Sequence, residues 1–249
     1  MKNYQFESHE VPYGTLNQFG LTQEMIEDLP VDVLQDILDG RPSPVLPVVI
    51  QMEDGDTIQG RTRFSLLRGS KGNPEVLFYP QLNEYHLNAF SEEERKNLIA
   101  NKAIIGIIDC GDEKGIPSFI QLDSETKQVL SVPTPVIARN LQMIADNAHL
   151  VANEIQALKN GQTLTFTDKN QTVTLGIDLT SKSGLRFSAG GEEAWYRESK
   201  REWDKYTFGA FGCWVMDDDG NLDYVHEEDY TEELWNEQKK LGVKMQHGR

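Results

Sequence analysis

The stretch "IARNLQMIADNAHLVANEIQALKNGQTLTF", residues 137–166, decides the fold class because it reads as one long helix that stops at a glycine and turns into a strand. Thr134 fits the N-cap of this helix, and Pro135 fits its first turn, where no amide hydrogen is needed. Gly161 stands where a residue of left-handed conformation is expected to end a helix. The stretch therefore predicts an unbroken helix up to Asn160, followed directly by a strand.

Apolar residues run along one side of this predicted helix. One row follows alternating four- and three-residue steps, as in a coiled-coil seam: Ile137, Leu141, Ile144, Ala148, Val151, Ile155 and Leu158. A second row repeats every seven residues beside it: Val136, Met143, Leu150 and Ala157. A stripe of this width favours a helix laid against a sheet or core, because a two-stranded seam would carry charges there. Dimerisation through the helix is the alternative interpretation.

The segment after Gly161 has three short runs that are typical of strands, "QTLTF", "TVTLGIDLT" and "LRFSA", separated by polar turns. The same order of one helix and three strands recurs in residues 91–133. There Ser91 and Glu94 predict a capping box, and Asn101 takes the place of Gly161 because asparagine tolerates the left-handed conformation.

A looser copy begins at "LPVDVLQDILDG", where Ile37 and Gly40 match Leu158 and Gly161. Three strand-like runs follow it, "VLPVVIQM", "QGRTRFSLL" and "EVLFYP". The sequence therefore predicts an α+β fold of repeated α-β-β-β units with short antiparallel strands, followed by an aromatic-rich C-terminal hairpin and helix. Two prolines in "SVPTP" place the predicted division between an N-terminal region, 1–133, with two units, and a C-terminal region, 134–249, with the third unit and the aromatic-rich extension.

The last sixty residues contain all four tryptophans of the chain: Trp195, Trp203, Trp214 and Trp235. The runs "YTFGAFGCWVM" and "NLDYVHEE" on either side of "DDDG" predict a β-hairpin. The run "TEELWNEQKKLG" predicts a closing helix capped by Thr231.

The stretch "AWYRESKREWDKY" mixes aromatic and basic residues in polar surroundings, and its candidate binding residues are Trp195, Tyr196, Arg197 and Trp203. Tryptophan, tyrosine and arginine often dominate the energy of protein interfaces. In a helix Trp195 and Trp203 would lie roughly 80° apart and share one face. The alternative is that these rings pack into the protein's own core, and we expect that outcome for at least one of the two tryptophans.

The chain has 24 basic and 40 acidic residues, net −16, and this charge limits the kinds of molecule that it is expected to bind. Such a chain repels phosphate backbones and anionic membranes, so neither direct nucleic-acid binding nor membrane association is expected. No apolar run approaches the roughly 18 residues of a membrane span, and the N-terminus lacks the pattern of a signal peptide. Two cysteines make no disulfide framework, which predicts a cytoplasmic protein. The acidity favours a basic protein as the partner.

The sequence contains no strong motif for catalysis, metal binding or cofactor binding. "VMDDDGNLDYVHEE" would put Val215 and His226 at the first and last ligand positions of a calcium loop, and neither suits that role. The phosphate-binding GxxxxGK[ST] and GxGxxG patterns and the nucleophile pattern GxSxG do not occur. Cys110 lies between Asp109 and Asp112, whose charges would raise the pKa of its thiol. The sequence therefore predicts no catalytic residue, no metal ligand and no cofactor.

A family resemblance rests on "L-x-N-G-x … D-K-x … L-x-F" in residues 158–187 and on "FSEEERKNLIANKA". Both resemble repeat domains of unknown function in Bacteroidetes proteins of conjugative elements, the DUF3945-like and DUF4099-like families. The N-terminal "YGTLNQFGLTQEMIEDLPVDVLQDILDGRPSPV" is similar to the second of these families. The resemblance implies a mobile-element setting and a non-catalytic accessory role, and it supplies no catalytic residues.

The function that these observations favour is that of a non-enzymatic, acidic binding protein of a mobile element or phage, acting through protein–protein contacts. One form would be an anti-defence or immunity-type inhibitor that occupies a basic site. Two alternatives stay open: an accessory protein of DNA processing recruited by protein contacts, and a hydrolase with an unrecognised active site. For a hydrolase the candidates are Cys110 and the acids Asp217, Asp218 and Asp219.

Overall fold

The structure, a computed structural model, describes residues 5–52, 54–110, 113–148, 150–168, 170–181, 183–198 and 203–247. Within these residues the chain forms eight α-helices and twelve strands. The strands make four antiparallel sheets of three strands, and each sheet is a meander in chain order. The predicted α+β class with repeated units of short antiparallel strands is confirmed.

The elements have the following bounds. The helices are α1 Tyr13–Asn17, α2 Gln23–Glu27, α3 Val31–Leu38, α4 Glu92–Ile99, α5 Thr134–Ala148, α6 Ala152–Lys159, α7 Glu192–Glu198 and α8 Glu232–His247. The first six strands are β1 Leu46–Gln51, β2 Thr57–Arg68, β3 Pro74–Pro80, β4 Ile104–Cys110, β5 Glu113–Asp123 and β6 Gln128–Pro133. The last six are β7 Leu164–Asp168, β8 Gln171–Ile177, β9 Leu185–Ala189, β10 Tyr206–Phe208, β11 Gly212–Met216 and β12 Leu222–His226. Short 3₁₀ turns lie at Ser8–Glu10 and Glu227–Asp229.

The chain divides into two compact units. The first unit combines the two ends of the chain, Met1–Pro80 and Glu202–Arg249, and the second is the continuous segment Gln81–Arg201. The division predicted after residue 133 therefore falls inside the second unit. The physical reason is that α5 follows β6 without an intervening loop, and Ile137 of this helix shares one core with Phe119 of β5.

Each of the three predicted repeats ends its helix in the same way. Gly40, Asn101 and Gly161 have φ values of 78°, 58° and 80°, so all three predicted left-handed terminators are confirmed. The next amide in each case donates to the carbonyl five residues earlier: Arg41 to Asp36 at 2.9 Å, Lys102 to Asn97 at 2.9 Å and Gln162 to Ala157 at 3.1 Å. The apolar residue three positions before each terminator is fully buried: Ile37, Leu98 and Leu158. A common capping bond and a common core anchor thus define the repeat.

The unbroken helix predicted up to Asn160 is wrong, because α5 ends at Ala148 and α6 begins at Ala152. The Leu150 amide donates to the Ala145 carbonyl at 3.2 Å, which is the same closing bond that ends the other helices. Val151 has extended backbone with ψ of 161°, and its amide donates to the Glu154 carboxylate at 2.8 Å. One helix is therefore capped and a second one starts.

The predicted apolar stripe is narrower than its sequence pattern indicates. Ile137 and Leu141 are buried, which confirms that α5 is a core helix. Val136 and Met143 of the second row are 49% and 58% exposed. Within α5 the buried residues therefore come from the first row, while Val136 and Met143 of the second row stay exposed.

The C-terminal sheet contains the predicted hairpin, made by β11 and β12, with a third strand that the sequence pattern did not indicate. Tyr206–Phe208 pairs with the other edge of β11, so this sheet is a fourth meander. The closing helix α8 begins where predicted, and the Leu234 amide donates to the Thr231 hydroxyl at 3.3 Å.

The first unit has one core to which both ends of the chain contribute. Phe6, Leu16, Leu21, Ile26, Ile37, Leu46 and Phe64 come from the N-terminal segment, and Trp214 and Leu222 come from the C-terminal sheet. The second unit has two smaller clusters, centred on Phe119 with Leu175 and on Leu98 with Leu122. No helix in the described part of the chain is both long and apolar enough to cross a bilayer.

Candidate functional site

Trp195, the first of the predicted binding residues, lies in the core of the second unit. Its side chain is 1% exposed, and its indole N–H donates to the Arg186 carbonyl at 3.0 Å. The Arg186 guanidinium carbon lies 4.0 Å from the centroid of the ring. A Cβ atom on Gly176 would come within 2.7 Å of the indole, so the strand beneath the ring needs a glycine there. Trp195 is a packing residue in this structure.

The other three candidates are placed differently. Tyr196 is half-buried, with its ring edge-on to Trp195 at 5.0 Å, and burial, with a smaller effect of Glu192, raises the pKa of its phenol. Arg197 is exposed, and Trp203 is half-buried against the core of the first unit. Trp195 lies in α7, whereas Trp203 is not helical and belongs to the other unit, so the helix face predicted to join them is wrong. The expectation that at least one of them is a core residue is confirmed.

Of the residues considered for catalysis, only the acids of "DDDG" have described side chains. The side chain of Cys110 and residue Asp112 lie outside the described residues. Cys213 is buried, and burial raises the pKa of its thiol to about 11. A thiol with that pKa is almost entirely protonated near neutral pH and is a poor nucleophile.

The acids of "DDDG" form the tip of the β11–β12 hairpin. The Asp217 carboxylate accepts the side-chain amide of Asn221 at 2.9 Å and the backbone amides of Asn221 at 2.7 Å and Asp219 at 3.0 Å, and these bonds lower its pKa. Its role is therefore to fix the turn. Among the described residues there is no group of three or more His, Cys, Asp and Glu side chains placed to hold a metal ion.

A buried and hydrogen-bonded carboxylate of the first unit is that of Asp28, which follows α2 and is 4% exposed. Its carboxylate accepts the backbone amides of Ala210 at 2.6 Å and of Phe211 at 3.0 Å, in the loop between β10 and β11. The Tyr224 hydroxyl donates to the same carboxylate, and burial together with this bond raises the pKa of Tyr224. Asp28 therefore anchors a loop that lies 182 residues further along the chain.

Two glycines allow the loop to approach the carboxylate this closely. A Cβ atom on Gly209 would lie 2.0 Å from the Cγ atom of Asp28, and one on Gly212 would lie 2.4 Å from the carbonyl oxygen of Val225. The loop sequence "FGAFG" therefore places glycine on either side of Ala210 and Phe211 for steric reasons. The two glycines were the sequence signal for a tightly packed loop, but nothing in the sequence pattern connected that loop to Asp28.

Phe211 is the side chain that this anchored loop presents. It is 42% exposed, although both of its backbone polar groups are bonded. Its amide donates to Asp28, and its carbonyl accepts the amide of Glu227 at 3.0 Å. A fixed backbone with an exposed phenyl ring is an arrangement that suits contact with another molecule.

An open depression adjoins the ring, lined by Phe211, Thr22, Gln23, Glu24 and Glu27. The Gln23 side-chain amide donates to the Glu27 carboxylate at 2.7 Å, which holds that acid on the α2 surface. The Glu24 carboxylate is about half exposed and lies 3.7 Å from the Nδ1 atom of His226. The depression thus combines two carboxylates with an aromatic ring, a combination that favours a cationic group.

The acidity extends along the C-terminal sheet and into α8. Residues 206–238 contain ten acidic residues and neither lysine nor arginine. Nine of the ten are exposed: Asp217, Asp218, Asp219, Asp223, Glu227, Glu228, Asp229, Glu232 and Glu233. The anchored loop therefore lies in the most acidic part of the chain.

Residues 6–89 match the model of a family described as "Protein of unknown function (DUF4099)". The predicted resemblance of the N-terminal segment to DUF4099-like proteins is therefore confirmed, and the match extends over the whole first α-β-β-β repeat. It covers about a third of the chain and includes Asp28, Glu24 and Glu27 but not the loop that Asp28 anchors. Neither a curated protein nor a solved structure matches the chain.

Proposed function

We propose that the protein is a non-enzymatic binding protein that holds a basic partner protein against the Phe211 ring and the acidic depression beside it. The observation that carries this proposal is the Asp28 anchor, which fixes the backbone of an exposed aromatic residue next to two carboxylates. An exposed phenyl ring on a fixed loop loses little conformational entropy on binding. Aromatic anchors of this kind commonly contribute a large share of the energy of an interface.

The surrounding charge serves association. Exposed carboxylates speed the encounter with a basic surface and disfavour acidic competitors, and this effect is screened over roughly 10 Å at 0.1 M salt. We therefore propose that acids such as Glu24 and Glu27 steer the basic partner toward the surface, and that Phe211 supplies most of the affinity of the complex. The two contributions are separable, since steering acts on the association rate and the anchor on the dissociation rate.

The proposal further places the protein in a mobile element or phage and in the cytoplasm of the cell. The mobile-element setting is supported by the resemblance to repeat families of conjugative elements, and the location by a sequence with only two cysteines. A protein that covers a basic site on its partner would act as an inhibitor of the anti-defence or immunity type.

The test compares two phenylalanines of similar exposure in different units. The full-length chain, its Phe211→Ala variant and its Phe187→Ala variant serve as bait in a host lysate, since Phe187 is 47% exposed in the second unit. We expect a basic protein to be retained by the unmodified chain and by Phe187→Ala, and to be lost with Phe211→Ala. Retention of the same partner by all three baits, or a partner whose association rate does not change with salt, would contradict the proposal.

A further inference from the structure

A second exposed aromatic residue lies on the same acidic segment. Trp235, in the first turn of α8, is 38% exposed. Its ring centroid lies 5.1 Å from that of Tyr230 in an edge-on arrangement, and Tyr230 in turn lies 5.8 Å from Phe208 of β10. Tyr230 therefore braces one side of the indole and is itself supported by Phe208, while part of the indole surface remains open to solvent.

Carboxylates accompany this indole. Glu232 precedes Trp235 by three residues on α8, so the two side chains lie on the same side of the helix. Glu228 and Asp229 are exposed in the turn that leads into the helix. Three lysines lie near this segment: Lys205 pairs with Glu233 at 3.9 Å, Lys240 pairs with Glu237 at 2.7 Å, and Lys239 follows Trp235 by four residues. They are outnumbered by the ten acids of residues 206–238. Trp235 is thus an open indole within a surplus of negative charge.

The second unit shows what completes such an arrangement. There the Arg186 guanidinium lies over the Trp195 ring at 4.0 Å, while its Nε atom donates to the Asp178 carboxylate at 2.6 Å. One planar cation satisfies both an aromatic face and a carboxylate. Trp235 and its acidic neighbours are the same two groups without the guanidinium, since among the described residues the cation–π contacts lie on Phe6, Trp195 and Tyr206 and not on Trp235.

We propose that the surface formed by Trp235, Tyr230 and Glu232 binds an arginine side chain from an extended basic segment of the partner protein. This inference rests on the proposed function and specifies the residue that the partner supplies. Arginine is preferred over lysine because its planar guanidinium stacks on an indole and keeps its N–H groups free for a carboxylate. An ammonium group is compact and strongly hydrated, so it gains less from the ring.

The test uses two labelled peptides of equal length and charge, one alternating arginine with glycine and the other lysine with glycine. Each is titrated with the full-length chain at low and at high salt, and fluorescence anisotropy reports binding. We expect the arginine peptide to bind roughly three- to five-fold more tightly than the lysine peptide. Trp235→Ala should bring this ratio to about one, while Phe187→Ala should leave it unchanged. Thermal melting of each variant verifies that it is folded.

The outcomes separate the two proposals. Equal binding of both peptides, or an arginine preference that survives Trp235→Ala, overturns the assignment of Trp235 and leaves the basic partner standing. Absence of binding by either peptide to the unmodified chain, even at low salt, overturns the proposed function together with the inference. A Trp235→Phe variant keeps a ring at the site and should keep part of the preference, which distinguishes stacking from an indirect change in α8.

Discussion

The two units of the protein use the same α-β-β-β architecture, yet their charges differ strongly. The first unit contains 24 acidic and 11 basic residues, net −13, whereas the second contains 16 and 13, net −3. One tryptophan from each unit shows a related difference. Trp195 of the second unit is covered by an arginine of its own chain, and Trp235 of the first unit is partly open beside acids. At these two sites the second unit satisfies its aromatic ring and its acid with an arginine of its own, whereas the first leaves its ring partly open.

Each unit also joins its meanders with a buried polar side chain. In the first, the Asp28 carboxylate accepts amides from a loop of the C-terminal sheet. In the second, the Gln121 side chain accepts the Leu179 amide at 2.8 Å and donates to the Ile177 carbonyl at 3.3 Å. Gln121 joins neighbouring repeats, while Asp28 joins distant ends of the chain. On the proposed function we expect Asp28 to matter for both stability and binding, and Gln121 for stability alone.

The largest effect is expected from the tryptophan of the second unit. Trp195→Ala should lower the free energy of unfolding by about 3–5 kcal/mol, because it removes a fully buried indole and leaves Arg186 without its stacking partner. Trp235→Ala should lower it by less than about 1 kcal/mol, because that ring is partly exposed. Urea unfolding monitored by circular dichroism measures both. Similar losses for the two variants would contradict the contrast between the units.

The next effect is expected at the anchor of the first unit. Asp28→Asn should lower the free energy of unfolding by about 2–3 kcal/mol, because an amide cannot accept both backbone amides and the Tyr224 hydroxyl as a carboxylate does. Partner binding should weaken with it, since the Phe211 loop loses its fixed conformation. Unfolding curves and binding are measured on the same preparation. Unchanged binding by a folded Asp28→Asn protein would show that the loop needs no anchor.

A smaller loss is expected for the polar side chain of the second unit. Gln121→Ala should lower the free energy of unfolding by about 1–3 kcal/mol, because the Leu179 amide and the Ile177 carbonyl lose their side-chain partner. Partner binding should stay at the level of the unmodified chain. A binding loss as large as that of Asp28→Asn would place part of the interaction surface on the second unit.

Neutralising single carboxylates tests whether the acids of the depression act differently from exposed acids of the second unit. Glu24→Gln and Glu27→Gln should slow association with a basic partner by a few-fold at low salt and leave stability within about 0.5 kcal/mol. The matched controls are Glu93→Gln and Glu193→Gln, exposed acids at the N-termini of α4 and α7 in the less acidic unit. Stopped-flow association at two salt concentrations provides the measurement. Equal slowing by all four variants would assign the effect to net charge rather than to the depression.

The smallest effect concerns acid stability. Hydrogen bonds from the Arg68 guanidinium, at 2.6 and 2.8 Å, hold the pKa of Glu10 at about 2, below its ordinary value of 4.5. A carboxylate with a lowered folded-state pKa contributes stability that is complete above pH 4.5 and is lost as the pH falls toward 2. Glu10→Gln should therefore make the stability of the first unit less dependent on pH between those values. An unchanged slope would show that the ion pair does not contribute.

Much of the fold was predictable because its signals are local. The left-handed terminators Gly40, Asn101 and Gly161, the capping box of Ser91 with Glu94, and the period of the strands each depend on residues within one helical turn or one hairpin. The break between α5 and α6 is a local feature that the apolar pattern concealed. The sequence at the break is "HLV", and none of these residue types is typical of a helix end. Glu154, whose carboxylate accepts the Val151 amide, is a residue type that also fits a continuous helix.

The sequence by itself determined the class, the repeated unit, the acidity and the absence of a recognisable catalytic motif, since composition and short-range spacing carry that information. Only the tertiary structure decided that the chain ends form one unit, that Trp195 is internal and Trp235 open, and that Asp28 anchors the Phe211 loop. These features depend on contacts between residues far apart in the chain. A single sequence does not reveal such pairs, because many aspartates, glycines and tryptophans share the same local patterns and only packing selects which of them meet.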